Sequence, residues 1–361
     1  MKVLSLIQLP PPIHGAAVVN AKAQKVISSK YGGAVTLNLS NATSIDDCDR
    51  LSVRKILAIL RLYIKVLVSC TKKHDLVYFS FCPNGLAFYR DVIIAIFLQV
   101  FGIKHIFHLH GRGLKKGQGW LKDFLAKIAF RNAFVIHLSP SFWAEVSHLV
   151  PQERFFIVPN SADDIGLDEK LIDDGVLNVL YLSNYVKGKG PLYVLKIAEL
   201  MWQRKVNCRF RLAGAWFDQS LKKEIDSWKL ANKELVDTGF VEIGGPVEGA
   251  EKDGLFLKSD VFLFPSYIDT FPLAVIEAMS SGLTVVASDT GAIPDILQKT
   301  GLVCSEHNWQ EMAEHVVCLA NDRSQLHKYG SAARNRYEHN YTDQAFSRRL
   351  LEVITTVITD K

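Results

Sequence analysis

Short apolar runs recur along the whole chain, and most are followed by an amphipathic stretch of helical length. This alternation predicts parallel sheets, because a parallel neighbour is reached only through a crossover of a dozen or more residues. In the front half the runs are residues 3–7 (VLSLI), 35–39 (VTLNL), 76–81 (LVYFSF), 104–109 (KHIFHL), 133–138 (AFVIHL) and 155–158 (FFIV). After the PNSADD segment the chain is polar and poor in aromatics up to Gly175, and a second series follows. Its runs are 176–183 (VLNVLYLS), 208–214 (CRFRLAG), 235–240 (LVDTGF), 260–265 (DVFLFP), 283–288 (LTVVAS) and 301–304 (GLVC), with helical patterns over 308–320, 324–338 and 342–358. The expectation is an α/β protein of two Rossmann-like, doubly wound domains, residues 1–165 and 176–340. A closing segment, 341–361, adds a helix that packs back on the first domain. Ligands in such sheets bind beyond the carboxyl ends of the strands, so chemistry is expected in a central cleft faced by both domains.

Composition narrows the class. With 361 residues, 48% hydrophobic and 22% charged, the chain can bury two cores and is neither disordered nor a disulfide mini-scaffold. The net charge of +5 conceals an asymmetry: residues 1–165 hold 20 Lys and Arg against 10 Asp and Glu, and the remainder holds 22 against 27. A basic front half suits an anionic membrane surface or nucleic acid. Nucleic acid ranks lower, because the interleaved aromatics and motifs of its binding folds are missing. Cys48, Cys70, Cys82, Cys208, Cys304 and Cys318 show no C-x-x-C and no finger spacing, and read as buried thiols of a reduced cytosolic protein. The N-terminus reads as a first strand rather than a leader. The longest apolar run, residues 92–103, is shorter than the ~20 residues of a spanning helix, so any membrane contact is expected to be peripheral.

Four segments carry candidate chemistry. In residues 265–296, Asp269 follows a buried strand, and Glu277 lies eight residues on within an apolar helix whose start is marked by Thr270 and Pro272. A carboxylate among Leu273, Ala274, Ile276, Ala278 and Met279 calls for hydrogen-bond donors such as ligand hydroxyls, and the helix start is a cradle for phosphate. The plain alternative has Asp269 capping the helix and Glu277 in an ordinary ion pair. In residues 179–200, Lys187 and Lys189 lie in a glycine-containing strand-to-helix loop that suits a diphosphate. No G-x-G-x-x-G or P-loop fingerprint occurs. In residues 11–20, Gly15 allows close approach of a ligand at a helix start, and a plain strand-to-helix turn explains it equally well. In residues 105–113, alternation puts His108 and His110 on one face; a single functional His110 ranks first, a hydrogen-bonded core histidine second, and a metal pair last for want of further ligands.

The basic excess concentrates in two stretches. Residues 50–73 mix Arg50, Arg54, Lys55, Arg61, Lys65, Lys72 and Lys73 with a broad apolar face, and residues 111–131 add Lys115, Lys116, Trp120, Lys122 and Lys127. Such stretches either lie on an anionic bilayer or cover a core with a solvated charged face.

Taken in order, these segments resemble the retaining, nucleotide-sugar-dependent glycosyltransferases of family 4, which have the GT-B architecture. The likeness is strongest from GPVEGAEKDG through DTGAIPDI (residues 245–296). The resemblance implies a donor site made of Gly15, Asn184, Lys187, Lys189, Pro246, Val247, Asp269, Phe271, Pro272, Leu273 and Glu277, with His110, Asp269 and Lys189 as the catalytic set. Gly15 matches the loop near donor phosphates and acceptor, His110 the histidine beside the transferred sugar, and Lys189 the diphosphate lysine. Glu277 matches the ribose-binding glutamate, and Pro246 and Val247 the loop that meets the base. Two positions depart: Asp269 stands where the family usually has a glutamate, and Asn184 roughly where it often has an arginine, a charge that Lys187 could replace. The implied activity is metal-independent transfer of a hexosyl-type sugar from a nucleotide diphosphate sugar to a glycan or lipid-linked glycan, with no cofactor. The implied setting is bacterial surface polysaccharide synthesis (lipopolysaccharide O-antigen, capsule or exopolysaccharide), in the cytoplasm at the inner face of the plasma membrane. The alternatives are a catalytically impaired nucleotide-sugar or glycan-binding subunit and a sugar-nucleotide epimerase.

Overall fold

The structure, a computed structural model, describes residues 1–11, 14–40, 53–167 and 175–360. Cys48, Arg50, the side chains of Arg54 and Lys55, and most of the polar stretch before Gly175 lie outside the described residues. The chain forms two compact units, Met1–Asn160 with Asp343–Lys361, and Ser161–Thr342.

The first unit is built on six parallel strands, β1 (Val3–Ile7), β2 (Val35–Asn38), β3 (Leu76–Phe81), β4 (His105–Leu109), β5 (Phe134–His137) and β6 (Phe155–Ile157). Their order is β2-β1-β3-β4-β5-β6. β1, β3, β4 and β5 are buried along their whole length, as helices on both faces require, which is why they read as mainly apolar runs interrupted only by Ser5, Ser80, His105, His108 and His137. In the core Phe81, Phe107 and Phe130 lie within 6 Å of one another, and Phe79 within 6 Å of Phe81 and Phe107, in edge-on and stacked pairs. The final helix, Asp343–Thr359, belongs to this unit and is tied to the Gly15–Lys30 helix by the Lys22–Asp343 ion pair.

Three helices of this unit are neighbours: Val53–Cys70, Gly85–Val100 and Trp120–Phe130. Tyr63 meets Phe97 edge-on, and Gln99 Nε2 donates to the Ile128 and Ala129 carbonyls. Their inner residues are buried, yet Leu57, Leu60, Ile64 and Val68 form an exposed stripe at helical spacing. Leu86, Tyr89, Ile93, Trp120, Leu121 and Phe124 are exposed as well. No helix among the described residues is long and apolar enough to cross a membrane.

The second unit has strands β7 (Leu177–Leu182), β8 (Cys208–Ala213), β9 (Val241–Ile243), β10 (Val261–Phe264), β11 (Thr284–Ser288) and β12 (Leu302–Cys304), all parallel, in the order β12-β11-β10-β7-β8-β9. The strand expected over residues 235–240 is corrected. Lys233–Asp237 is helical, Thr238 caps it, and Gly239 (φ 73°) takes the left-handed conformation that ends a helix, so the strand starts only at Val241. The apolar pair Leu235 and Val236 mimics a strand start, but Leu235 is buried from a helical turn.

The order of each sheet reverses once: between β1 and β3 in the first unit, and between β7 and β10 in the second. At such a point adjacent loops leave toward opposite faces and open a crevice for a ligand.

Candidate functional site

In the second unit β7 leads into a short turn, Lys187–Lys189, and then into the Pro191–Gln203 helix; β10 leads into residues 265–272 and the Leu273–Ser280 helix. The two loops touch backbone to backbone. The Tyr267 N–H donates to the Gly188 carbonyl at 3.0 Å. Gly190 (φ 76°) approaches so closely that a Cβ there would lie 2.4 Å from the Pro265 oxygen, which only glycine avoids. A third loop, after β11, closes on the same segment. Gly291 (φ 56°) would place a Cβ 2.3 Å from the Asp269 oxygen, and the Ala292 N–H donates to the Thr270 carbonyl at 2.8 Å.

These contacts bring Lys189 and Asp269 together. Lys189 Nζ lies 2.8 Å from Asp269 Oδ1, and Ser266 Oγ donates to Oδ2 at 2.6 Å. The alternative in which Asp269 caps the helix does not hold, because Pro272 occupies the N-cap position and no side chain caps that helix. Its first-turn N–H groups therefore have neither an intrahelical acceptor nor, among the described residues, a side-chain cap. Pro272 itself lacks an N–H, so Phe271 and Leu273 are the donors in this stretch.

Glu277 is partly buried, as its apolar neighbours suggested, and its Oε1 accepts from Lys252 Nζ at 2.8 Å. The ordinary ion pair of the plain alternative is thus present. Lys252, on the Gly249–Leu257 helix, was not anticipated. Asn184 and Lys187 are exposed on the loop after β7. Pro246 and Val247 follow β9 in a loop anchored by the Gly214 N–H to the Gly245 carbonyl (3.0 Å) and by Tyr185 Oη to the Gly244 carbonyl (2.9 Å).

In the first unit Gly15 is exposed and opens the Gly15–Lys30 helix, where His14 Nδ1 caps by accepting from the Ala17 N–H at 3.3 Å. His110, just past β4, lies 4.2 Å ring to ring from His108. His108 is the buried core histidine, its Nδ1 2.5 Å from Tyr78 Oη. Asn20 determines which nitrogen of His110 carries the proton. Its Nδ2 donates to the Gln8 carbonyl and to Ser80 Oγ, so its Oδ1 is an acceptor, and His110 Nε2, 3.0 Å away, must donate. His110 Nδ1 is then a bare acceptor, buried and without a partner among the described residues. Sequence reasoning could not see this pairing, since Asn20 and His110 are 90 residues apart and Asn20 lies inside a helix.

Burial holds His110 and His137 down to about 3, helped by neighbouring histidines, and keeps His108 well below the ordinary histidine range. All three are neutral near pH 7, so His110 serves as a hydrogen-bonding group and is a poor proton acceptor. The unfolded chain takes up protons near pH 6.5 that the native state refuses, so stability is full above that value and declines as pH falls toward 3. Each such histidine contributes a slope of about 1.4 kcal/mol per pH unit. Urea unfolding at pH 7 and pH 4.5 should show this decline, and His137→Phe, whose ring would stay against Phe142, should decline less. Equal declines in the two proteins would contradict the assignment.

Comparisons with known proteins bear on the family and the fold. Residues 167–336 match the family model of glycosyl transferases group 1. The chain is 27% identical over 173 residues to D-inositol 3-phosphate glycosyltransferase of Pseudarthrobacter chlorophenolicus, covering 47% of this chain and 40% of that protein. It is 23% identical over 188 residues to the putative colanic acid biosynthesis glycosyltransferase WcaL of Escherichia coli K12, covering 49% and 45%. It thus spans less than half the length of these curated relatives. The solved structure of Anabaena Alr3699/HepE in complex with UDP matches in fold over 99% of this chain and 100% of that one, at a TM-score of 0.73 and 17% identity. The two Rossmann-like units follow the GT-B plan, and the match to the glycosyl transferases group 1 model falls on the second of them.

Proposed function

We propose that the protein is a retaining hexosyltransferase of the family 4 type that takes its sugar from a nucleotide diphosphate donor held by the second unit. The observation that carries this reading is the convergence, at the reversal point of the β7–β12 sheet, of Lys189, Asp269 and an uncapped helix start. Cleavage of the donor leaves negative charge on the departing diphosphate. Lys189, assisted by Lys187 and the N–H groups of Phe271 and Leu273, stabilises that charge as preorganised electrostatics, with no metal required for the transfer. Asp269 pairs with Lys189; an arriving diphosphate competes for the lysine, and Asp269, still oriented by Ser266, turns its oxygens to sugar hydroxyls. Lys252 fixes one oxygen of Glu277, leaving the other to accept from the ribose. The loop at Pro246 and Val247 borders the base. His110, neutral with a bare Nδ1, accepts a hydroxyl hydrogen on the acceptor side together with the Gly15 turn. The name of the Escherichia coli relative, a putative colanic acid biosynthesis glycosyltransferase, supports an acceptor that is a glycan, free or lipid-linked, in surface polysaccharide synthesis.

Nucleotide sugars that raise the unfolding midpoint identify the donor. With that donor, Lys189→Ala and Glu277→Ala should each lower transfer by well over tenfold, at ~1.4 kcal/mol per decade, while circular dichroism stays native. Unchanged turnover in both variants rules this mechanism out. Nucleotide binding without transfer or donor hydrolysis identifies a binding subunit instead, and donor conversion without acceptor an epimerase.

The exposed stripe Leu57, Leu60, Ile64 and Val68, the exposed Trp120 and Phe124 two helices on, and the basic residues Arg61, Lys65, Lys115, Lys116 and Lys127 of these segments suit the inner face of an anionic membrane, where the chain would sit peripherally from the cytoplasm. In flotation with vesicles containing phosphatidylglycerol at low salt, the wild type should rise with the lipid and Leu60→Glu/Ile64→Glu should stay behind. Equal behaviour of the two proteins argues against this face.

A further inference from the structure

We infer that Cys304, Glu311 and His315 form a zinc site in the second unit. The thiol sulfur, a carboxylate oxygen and a ring nitrogen of these residues all lie within 4.8 Å of one another. Cys304 ends β12 and is buried. Glu311 and His315 are four residues apart on the Trp309–Asn321 helix, so they share the face turned toward the sulfur. Tetrahedral zinc holds such ligands ~3.4–3.6 Å apart, a distance reached from here by small side-chain rotations.

Glu311 is already oriented for this task. Its Oε2 accepts from the Ser305 N–H at 3.2 Å and from Asn308 Nδ2 at 2.9 Å, and Oε1 has no hydrogen bond among the described residues. Outer hydrogen bonds of this kind orient ligating carboxylates. One sulfur, one imidazole and one carboxylate make a borderline-soft donor set that suits Zn²⁺ and is poor for Mg²⁺ or Ca²⁺. Three protein ligands leave a fourth position for water, and on binding the thiol proton passes to solvent.

The site borders the Lys189–Asp269 loops. The segment joining Cys304 to Glu311 carries His307, whose Nδ1 lies 3.0 Å from Tyr193 Oη and whose ring lies 4.4 Å from that of Tyr267. Tyr267 adjoins Ser266, which holds Asp269. A bound ion would pin this segment from its outer side. The inference stands on these three residues and is independent of the sugar-transfer reading.

Cobalt(II) added to the full-length reduced protein is the probe. One equivalent should produce a thiolate-to-cobalt charge-transfer band together with intense tetrahedral d–d bands, and Zn²⁺ should displace both. Cys304→Ser should abolish the charge-transfer band, His315→Ala should weaken Co²⁺ binding more than about tenfold, and Cys318→Ala, at the exposed thiol one turn on, should change nothing. Should Cys304→Ser fail to fold, His315→Ala decides. Absence of the band in the wild type, its loss in Cys318→Ala, or unchanged affinity in His315→Ala would overturn the site.

Discussion

The candidate donor site depends on backbone packing at the reversal point of the second sheet. Gly190 lies against the Pro265 carbonyl, and Gly291 against the carbonyls of Asp269 and Thr270, with no space for a side chain at either contact. Both glycines also have left-handed backbones, so an alanine would meet strain as well as a clash. Three loops that begin on different strands are thereby locked to one another. Lys189, Ser266 and Asp269 take their positions from that lock, so the charges at the strand ends are preorganised by backbone geometry more than by one another.

Preorganisation of this kind matters because the site must receive charge. A lysine left alone in a partly buried pocket would lose solvation with nothing to offset it. Pairing with Asp269 holds Lys189 in position until a stronger anion competes for it, and Lys252 plays the same part for Glu277. In the first unit the logic is reversed. There the histidines at the strand ends have no nearby carboxylate among the described residues to favour their charged forms, burial keeps them neutral, and Asn20 fixes His110 as a hydrogen-bond acceptor at Nδ1.

Much of this was legible in the sequence because it rests on local pattern. Buried parallel strands must be mainly apolar, so residues 3–7, 76–81 and 283–288 announce themselves, and a carboxylate in the apolar turn around Glu277 stands out for the same reason. Residues 235–240 were misread because two adjacent apolar residues serve a helical turn as well as a strand, and only the left-handed Gly239 separates the two. The partners were not legible. Lys252 for Glu277, Asn20 for His110 and the Cys304–Glu311–His315 cluster arise from packing between elements distant in sequence, and no spacing rule encodes them.

The central claim is that the cationic group beside the Leu273–Ser280 helix receives a nucleotide diphosphate. Its most direct test is a crystal structure of the protein soaked with UDP or GDP. The account predicts the diphosphate against Lys189 Nζ and the first-turn N–H groups of that helix, the Lys189–Asp269 pair opened, and the ribose hydroxyls on Glu277. A nucleotide found instead in the cavity of about 540 Å³ lined by Arg209, Arg211 and Arg323, at the opposite ends of the strands, would contradict it.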